Sequence, residues 1–572
     1  MRRVLRSDRR TSGGTRAAAV LAAAALVVAA CGGDDDTADV TPAVTEAPAT
    51  DDTDTVDDTI DDTDTDTPTD TDTPTDTDVS DEPVADEGPQ QGGELVVGTL
   101  FDSFGFDPVK IVGGIADGTL SGAVFESLMT YDEDANIVPW LAASLDTDDF
   151  QTWTFGLRPG VVFSDGTPLD AEAVKYNLER HQDISLLSRG ILNALNMEEI
   201  TVVDETTLEV RLRFPWPAFP ETLVGPLGVV GSPTALEADP EAFNRNPVGA
   251  GPYLVTEWIP GDHITLDRNP DYYGADEGRP YLDRINLRLV LDTQTRQASV
   301  QSGELHLAQS TNGAEVVFAD ERGMVGFPVD GPGITIEMNT EVPPFDDVRI
   351  RRAALQALDR EAIFTVVFEG AGQYPPNNFL LDNDSEFSAH EEIDYPAHDP
   401  DTAAALVAEY EAENGPVSFT WQCHTQPDLV NMSQVVQQMW SQAGMDVTIE
   451  IVDQQTLVGN IFQRNYQIAC FGAVGQEDPD LAFYGTLHSA SPTNTVGYSN
   501  PAVDEALDIG RQSADADERY DAYLVVQQAL ADDVPLFKAA TSPWGWFGRD
   551  EVGGMFTLRN GIFDTSEVYL RN

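Results

Sequence analysis

Seven histidines, three cysteines and 99 carboxylates are the side chains from which this 572-residue chain would have to build catalytic or metal chemistry. The histidines, at 181, 263, 306, 390, 398, 424 and 488, include no HxxxH or HExxH pair. That spacing is what sets two imidazoles on one helical face, so no protein-built zinc site is expected. Cys423 and His424 adjoin at the end of an apolar run, where neighbouring strand side chains point to opposite faces. They do not make a nucleophile and its base. No Gly-x-x-x-x-Gly-Lys loop is present to cradle phosphates, so no nucleotide-hydrolysing site of that kind is expected. These residue types and spacings predict no enzyme chemistry, no metal and no cofactor.

The N-terminus states where it does so. Ala17 to Ala30 is a run of 14 apolar residues behind Arg2, Arg3, Arg6, Arg9, Arg10 and Arg16. A membrane span needs about 20 residues, so this layout reads as a secretory signal, with Arg9-Arg10 leaving twin-arginine export open. It ends in Val28-Ala29-Ala30-Cys31, which resembles the lipobox of bacterial lipoproteins. That resemblance makes Cys31 the lipidated first residue of a mature protein held outside the cytoplasm.

From 32 to 91 the chain carries 22 Asp and Glu and no Lys or Arg, with a Thr-Asp-Pro hexad repeat between Thr63 and Asp78. Such a segment cannot bury enough apolar surface to offset its ordering entropy, and its charges repel. It is expected to be a disordered tether, averaging about 45 Å and reaching at most about 200 Å. The remaining 481 residues hold 25 basic and 76 acidic residues, and the whole chain has three lysines, Lys110, Lys175 and Lys538. This charge excludes nucleic acid as a partner and speaks first to solubility.

The body alternates strand and helix patterns. Glu94 to Gly98 reads as a strand, Gly118 to Met129 as a helix, Trp153 to Leu157 as a strand, and Ala171 to His181 as a helix capped by Asp170. Later, strands at Val417 to Cys423, Asp446 to Val452 and Tyr466 to Phe471 alternate with helices at Asn431 to Ala443 and Gln455 to Gln463. That order predicts a parallel α/β sheet whose ligand sits beyond the strand carboxyl ends, after Cys423 and Phe471.

The motifs Glu126-Ser-Leu-Met-Thr-Tyr131, Ile137-Val-Pro-Trp-Leu-Ala-Ala-Ser144, Trp153-Thr-Phe-Gly-Leu-Arg158 and Val162-Phe-Ser-Asp-Gly-Thr-Pro-Leu169 occur in one order. Gly249-Ala-Gly-Pro-Tyr253, Arg268-Asn-Pro-Asp-Tyr-Tyr273 and Arg349-Ile-Arg-Arg-Ala-Ala-Leu-Gln-Ala-Leu-Asp-Arg-Glu361 follow them. Together they resemble the family 5 solute-binding proteins of ABC importers, among them oligopeptide-, dipeptide- and nickel-binding lipoproteins. The resemblance implies a two-lobe, type II periplasmic-binding-protein-like α/β fold. Signal peptide 1–31 and tether 32–91 would precede a first lobe of 92–123, 247–332 and 535–572 with an inserted subdomain at 124–246, and a second lobe at 333–534. It also implies an ABC permease and ATPase as partners, a lipid anchor in the membrane, and a peptide or other small solute as ligand. A sensing receptor of the same fold, a binder of a metal chelate or opine, and a secreted hydrolase are the alternatives. Arg349, Arg351 and Arg352, at the start of a helix, are expected to be salt-bridged scaffold, since basic groups there oppose the helix dipole.

In dipeptide-binding members a carboxylate upstream of an Asp-Pro pair holds the ligand's amino group and an arginine holds its carboxylate. Counting from Asp478-Pro479 and from Trp440, those positions fall here on Gly475 and Cys423. Glu477 or Asp478 would replace the first only in a shifted register. A dipeptide with neither anchor would leave two charges unpaired in a closed cleft, so an uncharged-ended or longer ligand is expected. Phe101, Trp421, His424, Gln476, Glu477 and Tyr498 are the further candidate contacts, with Trp421 equally a core residue. Cys423 and Cys470, the two cysteines left after lipidation, are expected to form a disulfide if the first and third strands of the unit are neighbours. Two separately buried thiols are the alternative.

Overall fold

Glu94–Thr99 is buried at five of its six positions, the pattern of a strand covered on both faces. The computed structural model describes residues 88–571 apart from 101, 104, 112–114, 133, 184–190, 330–332, 372–384, 473–477, 542 and 556–560. Cys31, the segment 32–87, Phe101, Gly475, Gln476 and Glu477 lie outside the described residues. Glu94–Thr99 pairs in parallel with Arg284–Leu289 and Leu307–Ser310. These three lie within a seven-stranded sheet ordered Val325–Val329, Trp544–Gly548, Leu307–Ser310, Glu94–Thr99, Arg284–Leu289, His263–Arg268, Tyr253–Ile259.

An inserted four-stranded antiparallel sheet follows the order Ala142–Thr147, Thr152–Leu157, Thr207–Leu212, Met197–Asp204. The helix Ala171–His181 starts where the sequence places it, with the Asp170 side chain accepting from the Ala173 N–H. Its buried Ala171, Val174 and Leu178 join Phe155, Trp216 and Phe219 in a core of the insert's own. The expected helix to Met129 stops earlier. Ile115–Val124 is helical, Glu126 has φ 59°, and Met129–Tyr131 is a strand. Beyond the helix end the Glu126 carboxylate accepts hydrogen bonds from Tyr272 at 2.5 Å and Tyr273 at 2.6 Å.

The second sheet runs Asp446–Val452, Ser418–His424, Ile468–Gly472, Ile334–Met338, Leu536–Ala540. The first three are parallel, as the strand–helix alternation predicts. Ile334–Met338 is antiparallel to both its neighbours, which makes the sheet mixed. This strand arrives from the first sheet, and its geometry explains the hinge. Val325–Val329 pairs with Trp544–Gly548 in one sheet, and their continuations Ile334–Met338 and Leu536–Ala540 pair in the other. The lobes are therefore linked by two adjacent chain crossings, at 330–333 and 541–543. The lobe boundary expected at 535 moves accordingly, because Leu536–Ala540 is hydrogen-bonded into the second sheet.

Arg349 pairs with Asp347 at 2.7 Å and with Glu413 at 2.9 Å. Arg351 donates to the carbonyls of Phe345 and Asp533. These contacts tie one helix start to its surroundings and serve the scaffold.

Candidate functional site

Each sheet contributes a parallel pair of strands, and ligands of such sheets lie beyond the carboxyl ends. In the first lobe those ends are Thr99 and Ser310, and in the second His424 and Gly472. The loops after Ser310 and His424 meet, where Gln426 Nε2 donates to Thr311 Oγ1 at 3.0 Å.

Strand alternation sorts the candidates on Ser418–His424. Phe419, Trp421 and Cys423 are buried on one face, while Gln422 and His424 are partly exposed on the other. Trp421 is fully buried, with its ring edge-on to Trp440 at 4.9 Å. Its side chain belongs to the second lobe's core, which corrects its assignment as a ligand contact. Cys423 is likewise fully buried and disulfide-bonded to Cys470, so it offers no group to a ligand. The pairing follows from register: Trp421 faces Ile468 and Gln422 faces Ala469 on the parallel neighbour. That sets the two cysteines opposite, with Cα atoms 5.1 Å apart, within the span a disulfide bridges.

Tyr498 is also a core residue. It is 5% exposed and its hydroxyl donates to Asp533 Oδ2 at 2.5 Å. Asp478 is committed elsewhere too. It caps the helix Pro479–Leu487 by accepting from the Asp480 N–H, and both its oxygens are held by Arg519 Nη2 at 2.6 and 2.7 Å. The Arg519 guanidinium thus faces both carboxylate oxygens of Asp478. His424 lies on the partly exposed face of its strand. Its Nδ1 accepts from the Gln426 N–H at 3.3 Å, and burial holds its pKa below the usual imidazole value.

Two acidic groups that sequence reasoning missed flank the Gln426–Thr311 contact. Asp428 lies in the first turn of the helix Pro427–Gln442 and has no ion pair or side-chain hydrogen bond among the described residues. Burial, with the nearby Glu315 and Glu369 carboxylates adding to it, pushes its carboxyl up to about 6. Glu315, 4% exposed, accepts from Ser310 Oγ and lies 3.8 Å from Arg296, while its Oε1 has no hydrogen-bond partner among the described residues. Glu315 is balanced in part by Arg296, whereas Asp428 faces only further carboxylates, Glu315 and Glu369. Asp428 reads in the sequence as an ordinary helix-start acid, and only tertiary packing removes its water. Among the described residues no three His, Cys, Asp or Glu side chains gather as a metal-ligand set, and no helix is long and apolar enough to cross a membrane.

Comparison with known proteins agrees with this architecture. Over residues 136–495 the chain matches the model for the middle of bacterial extracellular solute-binding proteins, family 5. It is 27% identical over 492 residues to the glutathione-binding protein GsiB of Pectobacterium atrosepticum, covering 83% of this chain and 93% of that protein. Among solved structures, PBP AgaA from A. tumefaciens R10 in complex with agropinic acid superposes with a TM-score of 0.75 at 23% identity, over 84% of this chain and 99% of that one. The oligopeptide-binding protein AppA from Bacillus subtilis, in complex with a nonapeptide, gives 0.72 at 22% identity, over 85% and 100%. With its two mixed sheets, its paired crossings and a match across most of the body, the chain belongs to the family 5 bacterial extracellular solute-binding proteins.

Proposed function

We propose that the protein captures a peptide or peptide-like solute between its lobes and delivers it to a membrane permease whose separate ATPase supplies the energy. The observation that carries this reading is the pair of sheets presenting the carboxyl ends of parallel strands to one crevice, linked by only two chain crossings. A solute contacted by both lobes stabilises the closed arrangement, because only there are all its contacts made. The glutathione bound by the relative GsiB is itself a tripeptide and fits the class.

The crevice chemistry narrows the ligand further. Cys423 is locked in a disulfide and Asp478 is held by Arg519, while Asp428 has no cationic partner among the described residues. A free carboxylate on that side would meet repulsion in place of a partner. Dipeptides are therefore expected to bind weakly, and longer peptides or solutes without that carboxylate to bind tightly. Calorimetric titration of the body with peptides of graded length is the experiment that tests this.

The N-terminal region supports a lipid anchor at Cys31 with an acidic spacer between it and the body. A single acyl chain gives marginal binding, whereas two give a stable anchor. Cys31→Ser is expected to move the protein from the membrane to the soluble fraction with the unfolding profile of the body unchanged. Continued membrane association of that variant contradicts the anchor.

A further inference from the structure

The inserted subdomain and the second lobe meet at the first turn of the helix Pro479–Leu487, far from the Gln426–Thr311 contact in sequence. Trp216, fully buried in the insert, donates from Nε1 to Asp480 Oδ2 at 2.7 Å. The other Asp480 oxygen accepts from Arg511 Nε at 2.7 Å. The Arg511 guanidinium lies 3.4 Å from the Tyr484 ring centroid and 5.6 Å from that of Trp216. One residue along, Leu481 packs against the insert's apolar core. One turn earlier, Glu221 Oε2 of the insert accepts from the Asp478 N–H at 3.0 Å, with Glu221 only 7% exposed.

We infer that Trp216 and Glu221 form a clamp with which the inserted subdomain grips the second lobe by this helix, holding the lobes together without any contribution from a ligand. Every group in the contact is the protein's own, and Trp216, Glu221 and Asp480 at its centre are buried. Asp480 has a side-chain exposure of 1%, so its carboxylate cannot exchange the indole for water while the lobes stay together. A hydrogen bond from a neutral donor to a buried carboxylate is among the stronger ones a protein makes. Opening costs that bond, the Glu221 contact and the burial of Leu481 together. Asp478 and Asp480 are also fixed from within the second lobe, by Arg519 and Arg511. The helix therefore presents a preformed handle, and the insert supplies the moving half. The consequence is a receptor whose ligand-free state is biased toward closure. Such a bias lets a ligand with few charge anchors bind without itself supplying all the closing energy.

The inference rests on the two-lobe reading above, and its test needs no ligand, so either can fail alone. The full chain, freed of ligand by unfolding and refolding, is compared with Trp216→Phe and with Glu221→Ala by small-angle scattering and by amide hydrogen exchange at Asp478. Trp216→Phe keeps most of the ring packing and deletes the donor. Glu221→Ala, at the edge of the contact, provides a second route if the tryptophan variant folds poorly, and Glu221→Gln retains an acceptor as a control. The clamp predicts a larger radius of gyration for both deleting variants and exchange at Asp478 faster by roughly tenfold in Glu221→Ala, with Glu221→Gln close to the parent. Scattering unchanged in Glu221→Ala and in a folded Trp216→Phe, or a parent that already scatters as an open form, overturns it.

Discussion

Replacing Cys423 and Cys470 together with alanine is expected to cost the second lobe about 4 kcal/mol, the chain-entropy value for cross-linking residues 47 apart. The bond joins adjacent parallel strands at the centre of that lobe's sheet, and both cysteines are fully buried. Reduction alone would leave two thiols packed in place, so the double alanine variant and the reduced parent should lose similar amounts, with the variant losing slightly more for the vacated sulfur volume. Denaturant unfolding followed through the second lobe's buried Trp421 and Trp440 measures it, in the presence and absence of reductant. Thiol labelling of the denatured, unreduced body gives an independent answer. Two reactive thiols, or unfolding indifferent to reductant, would contradict the bond.

The second large effect is a pH dependence centred on Glu337. This residue lies on the strand Ile334–Met338, is 4% exposed and accepts from Thr495 Oγ1 at 2.9 Å, with no ion pair among the described residues. Burial pushes its carboxyl up to about 7 from the usual 4.5, against a smaller opposing effect of the Thr495 hydrogen bond. Because the folded state holds the proton more tightly than the unfolded chain, the associated stability is present below pH 4.5 and is lost as pH rises through about 7. The loss amounts to about 3 kcal/mol once both states are ionised. Glu337→Gln keeps an acceptor for Thr495 and removes the ionisation. It should match the parent near pH 4 and exceed it by up to about 3 kcal/mol at pH 8. Equal stability of the two proteins across that range would show that Glu337 ionises without penalty.

What could be read from the sequence was what local pattern controls. Period-2 alternation and strand–helix order located Ser418–His424, Asp446–Val452 and Ile468–Gly472 to within two residues, and with them the strand adjacency that sets Cys423 opposite Cys470. The Asp170 cap located a helix start for the same reason, since its hydrogen bond closes within three residues. Alternation sends Trp421 and His424 to opposite faces of one strand, so the pattern itself argues against both touching one solute. The rest depended on groups far apart along the chain. Leu536–Ala540 carries no mark that it pairs with Ile334–Met338 some 200 residues earlier. Glu126 accepts from Tyr272 and Tyr273, and Trp216 meets Asp480 across 264 positions. Asp478 is conspicuous in sequence as part of an Asp-Pro pair, yet only Arg519 beside it shows that its charge is already balanced.

The central claim, a receptor that closes over a solute without the charge anchors of a dipeptide receptor, is tested most directly by calorimetric titration of the ligand-freed body with peptides of graded length. The account predicts little or no heat from simple dipeptides and saturable binding, one solute per chain, from longer peptides or peptides with a blocked carboxyl end. Micromolar or tighter binding of ordinary dipeptides would contradict it, because a zwitterion of that size would then have found partners for both charges in a crevice where Cys423 is bonded to Cys470 and Asp478 to Arg519.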